Sequence, residues 1–274
     1  MGAWEYFNEI NPGLPTDRFY TEMGEYLEKI DPYHHLRTTS TWHPKPSDWR
    51  HPKLDICEPH YYLRPAEKKK TRDEVEAIIQ QSKYLRQHDP KGMELLGEFG
   101  LADDQFRITE EIRRSELIDF HNALWASSLS GTSGTALFWW WERLDQHNCY
   151  PIYGALTRYL AGIPWTTAGL EPISATVSSD KIRLLGLQGK NQAYLWLFNP
   201  QASWENVVVK KQTPQTITNV EVVVKDLAPG KYRVQWWDTQ AGKVSKETSI
   251  AVSGPTLRLV VPAFDRDIAC KIIQ

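Results

Sequence analysis

Two short segments, Trp4-Glu5-Tyr6-Phe7-Asn8-Glu9 and Leu95-Leu96-Gly97-Glu98-Phe99-Gly100, each carry an apolar, strand-like run into a glutamate. Paired carboxylates are the working groups of glycoside hydrolysis. A retaining hydrolase uses one carboxylic acid to protonate the leaving oxygen and a second carboxylate, about 5 Å away, to attack the anomeric carbon. In a parallel barrel such groups stand at the C-terminal ends of different strands. Glu9 ends the first predicted strand and Glu98 the fourth, so three βα units separate them. A lone strand-end glutamate is normally a solvated surface residue; the weight here lies in the pair, its order and its spacing.

The elements that would position them come from periodicity. Strand-like runs fall at 3–8, 36–42, 54–60, 93–98 and 135–141. Between them apolar residues recur at helical spacing: Tyr20, Met23, Leu27 and Ile30; then Val75, Ile78, Ile79 and Leu85; then Ile112, Leu117, Leu124 and Trp125. Thr71-Arg72-Asp73-Glu74 reads as a capping box at the start of the second helix. Strict alternation of strand and helix implies parallel strands joined by crossover helices. From Ile163-Pro164-Trp165 to Glu171-Pro172 the pattern dissolves into linker composition, and after it the period becomes two. Runs at 195–198, 220–224, 232–237 and 257–261, parted by turns such as Ala228-Pro229-Gly230-Lys231, predict an antiparallel β-sandwich without helices. The expected fold class is therefore α/β plus all-β: a βα unit over residues 1–165 and a sandwich over 166–274.

Composition narrows the partners. With a formal net charge of -2, the chain offers no electrostatic argument for nucleic acid or an anionic membrane surface. No run approaches a membrane span, and the N-terminus lacks a signal-peptide pattern. Cys57, Cys149 and Cys270 are scattered without a CxxC, so neither a disulfide framework nor a zinc site is indicated. Asp145 and His147 lack a third ligand and read as a solvated loop, as does the Lys68-Lys69-Lys70 run. The outlier is aromatic content, 12 Trp, 12 Tyr and 8 Phe, which suits sugar-face stacking or core filling equally.

Asn8-Glu9 after one apolar strand and Gly97-Glu98-Phe99-Gly100 after another resemble the acid/base and nucleophile motifs of clan A glycoside hydrolases, especially family 5. In that clan the two glutamates lie on barrel strands four and seven, which agrees with the count above. His60-Tyr61-Tyr62 is similar to the family's His-x-Tyr element on strand six, making Tyr62 the hydroxyl that orients the nucleophile. Phe138-Trp139-Trp140-Trp141-Glu142 falls where the family has a sugar-stacking tryptophan. Pro229-Gly230-Lys231-Tyr232 and Trp236-Trp237-Asp238 before Ala241-Gly242 resemble β-sandwich modules labelled as collagen-binding domains. The resemblance begins at strand four, so it implies a partial TIM-type βα barrel of about five βα units, whose open edges would be covered by sequence upstream of Met1 in a longer parent or, as the lesser expectation, by self-association.

The resemblance implies that Glu9 is acid/base, with its pKa raised by burial and by the charge of Glu98, while Glu98 is the nucleophile, kept ionised by hydrogen bonds. Asn8 would hold the sugar 2-hydroxyl, or else satisfy a loop. His60 is a site residue or a core histidine. Strand alternation puts Trp139 and Trp141 on one face and Trp140 on the other, leaving Trp140 and Trp141 as rival sugar contacts. Trp42 lines a subsite or packs on the rim. Trp236 and Trp237 must face opposite ways. No cofactor is implied, and the substrate is a β-linked oligo- or polysaccharide. By analogy such an enzyme would be exported. The rival reading is a non-catalytic carbohydrate- or matrix-binding protein on an incomplete barrel, and a third is an enzyme whose barrel is completed by homodimerisation.

Overall fold

The computed structural model describes residues 2–64, 72–88, 92–110 and 117–274. In its N-terminal part β1 (Ala3–Glu5) pairs with β2 (Leu36–Thr38), β3 (Ser40–Thr41) with β4 (Glu58–Leu63), and β4 with β5 (Glu98–Leu101), all in parallel. Parallel bridges Ile10 to Thr41 and Phe99 to Phe138 join the remaining segments. Order across the sheet is thus sequence order, as crossover units produce. Among the described residues no pairing carries the Phe138 segment back to β1, and the sheet is open.

Several predicted strands move. The runs placed at 54–60 and 93–98 become Glu58–Leu63 and Glu98–Leu101, preceded by a lone Cys57–Glu94 bridge. Glu98 therefore opens its strand instead of ending it. The run at 135–141 makes only the Phe138 bridge before the chain turns helical at Trp141.

The helices are α1 (Asp17–Ile30), the short α2 (Pro46–Trp49), α3 (Glu74–His88), α4 (Ile118–Ser128), α5 (Trp141–Gln146) and α6 (Tyr150–Leu160). On α1 Tyr20 is buried as expected, but Ile30 is exposed. On α3 Val75, Ile78 and Leu85 are buried. Its N-cap is Asp73, whose Oδ1 accepts from the N–H groups of Val75 and Glu76, both at 3.0 Å. Thr71, Ile112 and the Lys68-Lys69-Lys70 run lie outside the described residues. With Asp73 capping, Glu74 is released from the expected box and is buried, accepting from Asn122 Nδ2 at 2.7 Å and the Trp204 N–H at 2.9 Å. Helix α4 is buried along its whole length, which explains why one-sided periodicity described it poorly.

The C-terminal part has a six-stranded antiparallel sheet in the order β12-β11-β14-β9-β8-β6 and a three-stranded one in the order β13-β10-β7. The first comprises Lys243–Val252, Gly230–Asp238, Asp267–Ile273, Gln192–Phe198, Arg183–Gly189 and Glu171–Pro172. The second comprises Thr256–Val260, Glu221–Lys225 and Ala175–Val177. Residues 171–172, expected as linker, are thus an edge strand. The expected absence of helix is corrected by a 3₁₀ turn at Pro200–Ala202 and a π turn at Glu205–Val209.

Strand β9 alternates cleanly between two cores. Ala193, Leu195 and Leu197 meet the three-stranded sheet, while Tyr194, Trp196 and Phe198 join the cluster formed with the helices. Trp236 belongs to the first core, and Trp237 turns the other way onto Tyr159 of α6, their ring centroids 5.6 Å apart. Truncating a large aromatic at such a position typically costs about 3–5 kcal/mol, so this shared wall contributes to holding the helices.

Candidate active site

Strand β4 sets the floor of the site. Its two-residue period puts Glu58, His60 and Tyr62 on one face, while Tyr61 and Leu63 point into the core behind. Two bulges bring the glutamates to the same face. Cys57 pairs with Glu94 but His60 with Glu98, so the β5 segment holds one extra residue around Gly97. Glu5 pairs with Thr38 but Ile10 with Thr41, leaving two extra residues on the first segment. Glu9 lies in that excursion with φ of 53°. A non-glycine residue held there costs about 1–3 kcal/mol, a cost that clusters at functional sites. Its N–H is tied to Ser40 Oγ at 2.9 Å, and the same hydroxyl donates to Glu5 Oε1 at 2.6 Å.

The side chains then converge. His60 Nδ1 lies 2.9 Å from Glu9 Oε1 and 3.2 Å from Glu98 Oε2. With a carboxylate as its partner, which can only accept, the ring nitrogen is the donor, which puts a proton on Nδ1. Tyr62 donates its hydroxyl to Glu98 Oε2. An oxygen of Glu9 and an oxygen of Glu98 stand within 4.8 Å of each other, with the imidazole nitrogen between them. These hydrogen bonds account for the close approach of the three groups without a cation. Burial by itself would depress His60, but its hydrogen bonds to Glu98 and Glu9 outweigh that and hold it above its ordinary pKa. Burial, and then the hydrogen bond to Glu98, push the Tyr62 phenol well up, so it remains a donor.

The two carboxylates differ in access. The Glu98 side chain is 7% exposed and that of Glu9 40%. The burial expected for Glu9 is therefore not found. A cleft of about 300 Å³ opens beside Glu9, lined also by Trp42, His43, His60, Tyr62 and Phe106; Glu98 is not on its lining and touches the lining residues His60 and Tyr62. Trp42 is half-exposed on its wall. Trp140 is buried beneath, its ring 6.4 Å from that of Tyr62 and its indole N–H donated to Leu101 O at 2.8 Å. Gly100 leaves room for that indole, since a β-carbon there would stand 2.9 Å from Trp140 Nε1. Trp141, at the start of α5, is 61% exposed and, like Asn8, does not line the cleft. Neither Trp140 nor Trp141 lines the cleft, the first lying against Tyr62 and the second outside. Trp139 and Trp141 do share the exposed side, although a helix start, not strand alternation, puts Trp141 there.

Sequence reasoning passed over Glu58. It is buried, accepts from Thr38 Oγ1 at 2.6 Å and stands close to Glu5 and His60. Burial raises its carboxyl above the usual range, against the opposing bond from Thr38. The signal was available: Glu58 precedes His60 by two residues on the same strand. Phe106, edge-on to Tyr62 and under the Arg64 guanidinium at 4.0 Å, carried no sequence signal.

No protein-family model matches the chain, and no curated protein matches it in sequence. Solved structures do match. A family 5 glycoside hydrolase from Bacteroides vulgatus aligns with a TM-score of 0.57 at 12% identity, over 93% of this chain and 58% of that one. A family 30 endoxylanase from Clostridium papyrosolvens gives 0.53 at 11%, over 100% and 66%. A family 44 endoglucanase from Clostridium thermocellum gives 0.51 at 10%, over 100% and 66%. The chain thus spans between 58% and 66% of the length of these structures. At these identities the likeness is one of fold, and the fold is that of clan A-like glycoside hydrolases.

Proposed function

We propose that this chain carries the catalytic carboxylates of a retaining glycoside hydrolase acting on β-linked glycans, on a partial TIM-type barrel over residues 1–165 followed by a β-sandwich over 166–274. The observation that carries the reading is the meeting of Glu9, His60, Tyr62 and Glu98, with the carboxylate oxygens within 4.8 Å. Retaining enzymes keep their two carboxyl groups about 5–5.5 Å apart, whereas inverting ones leave room for a water at about 6.5–9.5 Å. In the first half-reaction Glu98 forms a bond to the anomeric carbon as the glycosidic C–O bond breaks, and Glu9 delivers its proton to the departing oxygen. In the second, Glu9 takes a proton from water, whose oxygen displaces Glu98. Tyr62 holds one oxygen of Glu98 and leaves the other to attack. His60 faces both carboxylates and limits their mutual repulsion. Trp42 offers the cleft an aromatic face for a sugar ring, whereas Asn8 stands outside the cleft lining.

The test is release of reducing sugar from a panel of β-linked polysaccharides and aryl glycosides by the full chain, with Glu98→Gln as control and the anomer of the first product read by NMR. Activity lost in the control, with a β product, supports the reading. An α product refutes retention, and a folded chain that binds glycans but hydrolyses none, with or without Glu98, refutes catalysis in favour of a binding scaffold.

A further inference from the structure

Behind the two carboxylates, His60 has a third acidic neighbour. Glu58 shares its face of β4 and is buried. One of its oxygens, Oε2, takes the Thr38 hydroxyl at 2.6 Å. The other, Oε1, lies 2.2 Å from where a β-carbon on Gly97 would stand, so the residue before Glu98 has no side chain because Glu58 occupies that space. An oxygen of Glu58, an oxygen of Glu5 and a ring nitrogen of His60 lie within 4.8 Å of one another. Glu5 in turn shares Ser40 Oγ with the Glu9 N–H. Glu58 thus abuts the supports of both site glutamates: Gly97 before Glu98, and His60 between Glu98 and Glu9.

We propose that Glu58 is a positioning residue that acts on His60 through charge and not through a direct hydrogen bond, and that with Glu5 it sets the field in which the imidazole faces Glu9 and Glu98. The titratable groups facing His60 are Glu5 and Glu9 from the first segment, Glu58 and Tyr62 from β4, and Glu98 from β5. An anionic Glu58 strengthens proton binding by His60, and a neutral group in its place weakens it. The effect on the ring is independent of any reaction. Its effect on turnover rests on the glycosidase reading.

The experiment uses the full chain with ¹⁵N-labelled histidine. The His60 imidazole is titrated by NMR in wild type and in Glu58→Gln, which keeps the volume and an acceptor for Thr38. The expected result is a lower His60 midpoint in Glu58→Gln. With a glycan substrate, Glu58→Ala should lower kcat by about 10–100-fold with KM within about twofold. If Glu58→Gln does not fold, Thr38→Val carries the titration, because losing the hydroxyl favours the uncharged carboxyl and again lowers the midpoint. An unmoved His60 midpoint in the folded variant overturns the proposal. A moved midpoint in a chain silent on every glycan upholds it and overturns the glycosidase reading instead.

Discussion

Placing one methyl group at Gly97 should disturb both the stability and the geometry of the site. A β-carbon there would stand 2.2, 2.6 and 2.8 Å from Oε1, Cγ and Cδ of Glu58, whereas ordinary contacts begin at about 3.5 Å. Something must give by about 1 Å. The Glu58 carboxyl is pinned by Thr38 at 2.6 Å and crowded by Glu5 and His60, so it cannot swing away freely. The alternative is a displacement of the bulge, which carries Glu98 with it. Overpacking of this kind costs about 1–3 kcal/mol, and for a chain of this size each kcal/mol lowers Tm by roughly 2–4 °C. Gly97→Ala should therefore melt roughly 2–12 °C below wild type. In a Glu58→Ala background the same change should cost under about 0.5 kcal/mol, because the obstacle is gone. Denaturant or thermal melts of the two single variants and the double variant close the cycle. A Gly97→Ala chain that melts with wild type, or strictly additive effects, would refute the packing argument.

Two other outcomes follow from named groups. Tyr62→Phe removes a hydrogen bond to a buried carboxylate, an interaction worth about 1.5–3 kcal/mol, so kcat/KM on an aryl β-glycoside should fall about 10–100-fold, and an unchanged value would remove Tyr62 from the mechanism. Glu74 is pushed up to about 8, chiefly by burial and then by the charge of Asp73, and its Oε2 has no hydrogen-bond partner among the described residues. Between the unfolded carboxyl's value near ~4.3 and about 8 only the folded chain keeps that proton, so stability drains as pH rises through this window. Glu74→Gln should match wild type in denaturant melts at pH 4 and exceed it increasingly toward pH 8, and a pH-independent difference would count against a buried proton at Glu74.

The site was more legible than its framework. His60 and Tyr62 were picked out by the His-x-Tyr resemblance although the expected strand stopped at residue 60, and the two-residue period of Glu58–Leu63 puts both on the face that Glu9 and Glu98 meet. The bulge in β5 was passed over, although Gly97 inside the Leu95-Leu96-Gly97 run is the kind of residue that marks one. Glu98 was therefore expected at a strand end when it opens β5. Trp141 escaped because a helix starts where strand period was assumed. In the C-terminal part β12 was unreadable: its ten residues are mostly polar and exposed, and only backbone pairing with β11 makes them a strand. Lys271 masked β14. It interrupts the apolar run yet is buried, its ammonium 4.9 Å from the Trp237 ring centroid and bonded to Ala161 O at 2.9 Å.

The double-faced strand β9 also governs the order in which the chain can assemble. Its partner β14 lies far downstream, Phe198 pairing with Asp267 and Gln192 with Ile273. Pairings of such sequence separation form slowly, because loop closure precedes the reward. During synthesis the N-terminal half emerges first, with Trp125 and Tyr159 lacking the sheet that covers them in the finished fold. The cluster that holds Trp125 and Tyr159 is therefore complete only when β9 and β14, distant in sequence, have come together.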